Sequence, residues 1–306
     1  MIYVNNYDNY ILVFILQKSQ FLLPLQTHFE NKSNIIMEKP KVLYVSQEIA
    51  PYLKESHISH IGRHLPQATQ ESKKEIRTFM PRFGVINERR NQLHEVIRLS
   101  GMNLIINDMD HPLIIKVASI QAARMQVYFI DNEDYFHRKF VFRDKNEKFF
   151  KDNDERAIFY ARGVLETVKK LGWAPDIIHC HGWFSSLVPM YLRKIFNDNP
   201  LFNGAKIIFS VYNDNFDEKF DKEFTTKLIQ EGLDENDVKH YSSRDYKGLI
   251  KSAIDYSDAI IYGEEHIDDE IDQYIKDSGK EVMEYAGEDN YKETYNKFYD
   301  GLLEQE

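Results

Sequence analysis

The chain has one cysteine, Cys180, in 306 residues. A single thiol excludes any internal disulfide and fits a reducing compartment such as the cytoplasm. Glycine and proline are also sparse, at 13 and 9. After Met37 there is no Gly/Pro/Ser-rich linker, no repeat and no low-complexity tract, so nothing in the composition divides residues 37–306, which read as one domain. Long apolar runs are missing too. Residues 11–16 (ILVFIL) and 21–25 (FLLPL) are interrupted by Gln17-Lys18-Ser19-Gln20 and by Pro24. Neither approaches the ~20 residues of a membrane span. No Lys or Arg precedes the first run, so the basic start of a signal peptide is lacking. Met37-Glu38-Lys39-Pro40 reads as the true start, with residues 1–36 a mis-assigned or disordered leader; a poorly cleaved export signal is the alternative. Cations are scarce toward the C-terminus. Residues 213–306 hold 11 Lys+Arg against 27 Asp+Glu, whereas residues 1–212 hold 28 against 22. The acidic third is unsuited to nucleic acid, whose phosphates need cations. The mild positive balance upstream is compatible with a small anionic ligand. No nucleic-acid or membrane partner is expected.

What is present is a rhythm of short apolar, β-branched runs separated by helical patterns. Strands are expected at 41–46, 76–80, 113–119, 126–131, 176–180, 206–211, 258–262 and 281–285. The pattern predicts an α/β fold, a single doubly wound, Rossmann-like domain with a parallel sheet covered on both faces. Residues 113–119 and 126–131 are close enough to form a hairpin on that sheet. The best helix spans 155–171, where Ala157, Ile158, Ala161, Val164, Leu165, Val168 and Leu171 keep a 3.6-residue period. Gly172 suits a left-handed cap and Pro175 bars continuation. A last helix over about 289–303 puts Tyr291, Tyr295, Phe298, Tyr299 and Leu302 on one side, to dock on the domain. Residues 219–244 are densely charged and read as an exposed helical excursion.

Five segments, in order, carry a resemblance: KVLYVSQEIAP at 41–51; Leu65-Pro66 followed by MPRFG at 80–84; YFIDN at 128–132 with Tyr135-Phe136; RAIFYAR at 156–162; and PDIIHCHGW at 175–183. Together they resemble the N-terminal domain of bacterial glycogen synthases and plant starch synthases over most of residues 39–300. The resemblance implies one Rossmann half of a retaining GT-B glycosyltransferase, a family that transfers glucose from ADP-glucose to an α-1,4-glucan. It implies a sugar nucleotide or α-glucan as ligand, and no further cofactor or metal.

The departures fall at the cleft. The family's first loop reads Lys-Thr-Gly-Gly-Leu-x-Asp. Here Lys54 is kept, Glu55 replaces Thr, Ser56-His57 replace the glycines and His60 replaces Asp. Glycines there let backbone N–H groups approach a phosphate; a histidine obstructs and a glutamate repels. The family's His-Asp-Trp becomes His181-Gly182-Trp183, and its His-Asn becomes Tyr212-Asn213. After residue 285 nothing resembles the second Rossmann domain, which carries most donor contacts in this family. The candidate cleft residues are therefore Lys54, His57, His60, His181, Gly182 and Tyr212, with no residue assigned a catalytic role. Lys54 either meets an anion or is a solvated lysine. His57, His60 and His64 stack on one side of a helix, as bare surface histidines or as zinc ligands. His179 and His181 share a strand face, so His181 either points into the ligand crevice or makes a structural hydrogen bond. Cys180 reads as a buried apolar residue, and Trp183 and Phe184 as core or as sugar-stacking rings. Asp268-Asp269-Glu270 and Asp272 read as a solvated face rather than a calcium loop. The chain is expected to lack transfer activity by itself and to act as a glucan-binding or regulatory half. The alternative is one half of a split enzyme, active with a separately encoded C-terminal domain.

Overall fold

The computed structural model describes residues 38–305, so the reading of the leader lies outside the described residues. The unit that begins at Lys39 is built on ten strands: β1 (Lys41–Ser46), β2 (Glu75–Pro81), β3 (His94–Glu95), β4 (Met102–Ile106), β5 (Met109–Ile120), β6 (Met125–Asp131), β7 (Ile177–His181), β8 (Lys206–Val211), β9 (Ala259–Tyr262) and β10 (Glu281–Met283). The helices are α1 (His57–Glu71), α2 (Glu88–Asn91), α3 (Glu133–Phe136), α4 (Asn153–Leu171), α5 (Val188–Lys194), α6 (Phe224–Gln230), α7 (Tyr246–Tyr256), α8 (Asp269–Asp277) and α9 (Gly287–Leu303). The sheet runs β10-β9-β8-β7-β1-β2-β6-β5-β3, with β4 paired to β5. From β10 to β6 all neighbours are parallel, and β5 turns back antiparallel on β6 from Ile114 opposite Asp131 to Ile120 opposite Met125. This is the mixed, mostly parallel α/β sheet that the strand pattern implies, hairpin included.

β1 shows how the sequence divides the core. Val42 and Tyr44 pack with Ile61 and Leu65 of α1 and with Tyr291, Tyr295 and Tyr299 of α9. Leu43 and Val45 point the other way, into the larger core that holds Ala157, Tyr160 and Val164 of α4 and Leu187 and Val188 at the start of α5. A strand buried on both faces is apolar throughout, which is why KVLYVS shows no alternation. The Tyr160 hydroxyl lies 2.8 Å from the Ser46 carbonyl and 3.0 Å from that of Phe79, pinning α4 under the carboxyl ends of β1 and β2. Gly172 caps α4 at φ +62°. As expected, α9 docks by its tyrosines, and Tyr299 is fully buried.

Two expectations change. β3 and β4 escape the sequence pattern, because both exist only through antiparallel pairing with a long β5. Residues 219–244 are not an exposed excursion. Only α6 and a short 3-10 turn (His240–Ser243) are helical there, and Phe220, Phe224, Leu228, Leu233, Val238 and Tyr241 are buried. The charge is accommodated by pairing: Lys227, itself buried, holds Asp154 at 2.8 Å and Glu155 at 2.7 Å on α4.

Candidate ligand-binding cleft

Parallel strands deliver their carboxyl ends to one edge, where doubly wound folds place their ligands. Three segments meet there: the β1–α1 loop, the turn after β7 and the segment after β8. The β1–α1 loop is drawn tight because Gly62 of α1 presses on it. A Cβ at Gly62 would stand 2.6 Å from the Glu48 carbonyl oxygen.

Ser56 caps α1. Its Oγ accepts from Ser59 N at 3.0 Å, and Ser59 Oγ accepts from Ser56 N at 2.8 Å, closing a reciprocal capping box. Ser56 Oγ also donates to Glu48 Oε2 at 2.5 Å. The helix end thus carries its own side-chain acceptor and an adjacent carboxylate. Burial pushes the Glu48 carboxyl above its usual range, although the Ser56 hydrogen bond opposes the shift.

After β7, His181 is fully buried, with Nδ1 2.8 Å from the Tyr212 hydroxyl and Nε2 without a partner. Burial pushes its pKa down to about 3. His179, on the same face, bridges the Tyr299 hydroxyl and Ser210 Oγ at 2.7 Å each, and burial holds it well below the usual histidine range. Gly182 adopts φ +82° and ψ 161°, a conformation reserved for glycine, and a Cβ there would meet the Gln47 side chain at 2.4 Å. Gln47 Oε1 accepts from Phe184 N at 3.1 Å, so its amide occupies the space beside Gly182. After β8, the Tyr212 ring is buried, and half-buried Asp214 accepts from Trp183 N at 2.8 Å and from the Tyr246 hydroxyl at 3.1 Å. Desolvation pushes the Asp214 carboxyl up to about 7, with Glu48 adding repulsion.

The candidate residues do not form one constellation. His57 lies with its ring 6.0 Å from Tyr212, and Tyr212 bonds His181, so these three run from the surface into the core. His60 turns aside to stack on His64 at 4.4 Å and to face Glu55. His57 and His60 line a cavity of about 500 Å³ with Glu55, Glu288 and Asp289. Lys54 is exposed and does not line that cavity. It lines an open groove of about 570 Å³ with Tyr52, Leu53, Val85, Phe140 and Phe142. Trp183 and Phe184 are core residues, as is Cys180, whose thiol burial pushes up. Among the described residues no group of three or more His, Cys, Asp and Glu could hold a metal ion.

Comparison with known proteins fixes the family. The profile described as the starch synthase catalytic domain matches residues 41–283. The chain belongs to this family. A glycogen synthase from Pelodictyon phaeoclathratiforme is 32% identical over 240 residues, covering 76% of this chain and 48% of that protein. A glycogen synthase from Chlorobium luteolum is 40% identical over 176 residues, covering 56% of this chain and 36% of that protein. The catalytic domain of starch synthase IV from Arabidopsis thaliana, solved with ADP and acarbose, shares the fold at a TM-score of 0.66 and 19% identity, over 81% of this chain and 51% of that one. The chain thus spans between about a third and a half of the curated relatives it matches.

Diphosphates are held by placed cations and free N–H groups. Here the same edge carries Glu48, Glu55, Asp214, Glu288 and Asp289. Glu48, Gln47 and Asp214 are the residues the sequence reading passed over. Their only sequence signal is position, one to three residues beyond the carboxyl ends of β1 and β8.

Proposed function

We propose that this starch synthase family member does not transfer glucose by itself and that residues 37–306 serve as an α-glucan-binding or regulatory half in the cytoplasm. The observation that carries the reading is the end of α1, capped by Ser56 and Ser59 with Glu48 hydrogen-bonded onto the cap. A diphosphate arriving there would displace a satisfied cap and meet carboxylates. The groove beside Lys54 supports the glucan assignment. Tyr52, Phe140 and Phe142 line it, with Phe140 exposed, an aromatic lining suited to the C–H faces of a sugar. Calorimetry of the purified chain tests both parts. Maltoheptaose binding without ADP-glucose binding is the expected result. ADP-glucose-dependent elongation of a glucan primer by the chain alone would refute the reading.

A second reading, one half of a split transferase, draws support from the share of the relatives that the chain spans and from Lys54, which is exposed and has no ion pair among the described residues. Against it, the exposed large apolar residues Val85, Ile97, Ile105, Met109, Phe140 and Ile229 are scattered, and only Val85 and Phe140 share the groove. A partner domain would be expected to cover a wider apolar face. Elongation that appears only on mixing with the C-terminal half of the Pelodictyon enzyme would favour this second reading.

A further inference from the structure

A second region of interest lies at the opposite end of the sheet. About 700 Å³ opens where β1, β2 and β6 begin and β5 ends, lined by cations and by hydroxyl and amide side chains. Four cations reach it: Lys39, Lys74, Arg77 and Arg124. The lining has one carboxylate, Glu75, and that group is already engaged, accepting from Trp173 Nε1 at 2.7 Å with Arg77 Nη2 at 3.3 Å. Lys74 is almost fully buried and is held by Asp300 of α9 at 2.7 Å. Arg77 stacks on Trp173 and its buried Nε has no hydrogen-bond partner. Lys39 and Arg124 are exposed, with no ion pair among the described residues. In a protein of net charge −10 this is a local reversal of sign. Gln70, Ser119, Gln121, Gln126 and Tyr128 supply the neutral donors and acceptors.

We propose that this pocket is a binding site for a phosphorylated sugar. Cations in excess of carboxylates select an anion, and the exposed guanidinium of Arg124 offers forked donors to an oxyanion with several acceptors. A simple ion site would need neither the volume nor the ring of amides and hydroxyls. That ring suits a polyhydroxylated body attached to the phosphate, and the volume falls in the range of small-molecule sites. Lys74 ties the site to α9 through Asp300, so an anion competing for the Lys74 ammonium would be felt by the helix that covers the sheet. The pocket is distinct from the Lys54 groove, and the two assignments succeed or fail separately.

The test is calorimetric titration of the full chain with glucose 6-phosphate, with inorganic phosphate and with glucose, each at low and at high salt. Glucose 6-phosphate should bind more tightly than phosphate, weaken as salt rises and outcompete glucose. The double charge reversal K39E/R124E touches two exposed, unpaired side chains, so its thermal unfolding should match the parent while its affinity falls at least tenfold. A second variant, Gln126→Ala, should weaken glucose 6-phosphate more than phosphate. No binding of glucose 6-phosphate, equal affinity for phosphate, or unchanged affinity in K39E/R124E would each overturn the assignment.

Discussion

Ser56 Oγ donates to Glu48 Oε2 at 2.5 Å while it accepts from the Ser59 amide at 3.0 Å. One hydroxyl thus ends a helix and binds a carboxylate at the place where the starch synthase family's loop carries glycine. The cap is satisfied within the chain, and this makes the helix end a finished structural element rather than an open anion site.

Ser56→Ala is expected to cost about 1 kcal/mol of stability by loss of the cap. It also removes the Ser56 donor from Glu48. Urea unfolding followed by circular dichroism measures the loss. The combined change E48Q/S56G/H57G should in addition permit ADP binding that the parent lacks, read by calorimetry. Continued absence of ADP binding in that variant would show that the loop is not what excludes the nucleotide.

Gly182→Asp restores the residue type found in the family and should be poorly tolerated. The backbone at φ +82° and ψ 161° costs a side chain about 1–3 kcal/mol. A Cβ at 2.4 Å from Gln47 adds a steric clash. Adding Gln47→Ala should recover the steric part and leave the backbone part. Thermal unfolding of both variants gives the two shares, and full recovery in the double variant would contradict the backbone argument.

His181 predicts a pH effect of defined sign. The native imidazole stays neutral down to about pH 3, whereas an unfolded histidine takes its proton near 6.5. Below pH 6.5 the unfolded chain binds the extra proton, so stability falls as pH drops and keeps falling toward pH 3. His181→Asn should flatten this limb by about 1.4 kcal/mol per pH unit between pH 6 and 4. Asp214, pushed up to about 7, acts in the opposite direction. It is present in both proteins, so the difference between their denaturation curves isolates His181.

Tyr299→Phe removes the hydroxyl that meets His179 Nδ1 at 2.7 Å and the Tyr44 hydroxyl at 3.3 Å. Tyr44 keeps Thr69 at 2.7 Å, whereas His179 Nδ1 is left buried and unpaired. A loss of about 1–3 kcal/mol is expected. Hydrogen exchange should quicken first in α9, because this bond ties the helix to β7. Uniform quickening across the whole domain would argue against a local role.

Much of the fold was legible because its signals are local. The apolar run at β1 and the 3.6-residue period of α4, closed by Gly172, each state an element without outside help. The tyrosines of α9, repeated every four residues from Tyr291 to Tyr299, likewise declared a docked helix. β3 and β4 were not legible, since their residues are strands only because β5 lies beside them. Residues 219–244 misled because charge density was taken for exposure, while Lys227 is buried against two carboxylates more than 70 positions away.

The candidate site divides the same way. The sequence by itself determined the family, the order of the segments and the loss of the glycine loop, because these are properties of residue identity and spacing. Only the tertiary structure decided what stands in place of that loop. His181 shared a strand face with His179 in the sequence, yet whether it faced a ligand or the core depended on Tyr212 and Tyr44 packing against it. Glu48 and Ser56 are eight positions apart, and Gln47 and Gly182 are 135 apart. The first pair meets within the β1–α1 loop, whereas the second is brought together by the parallel crossovers that carry the chain back to one edge of the sheet, and no local pattern encodes which side chains will then touch.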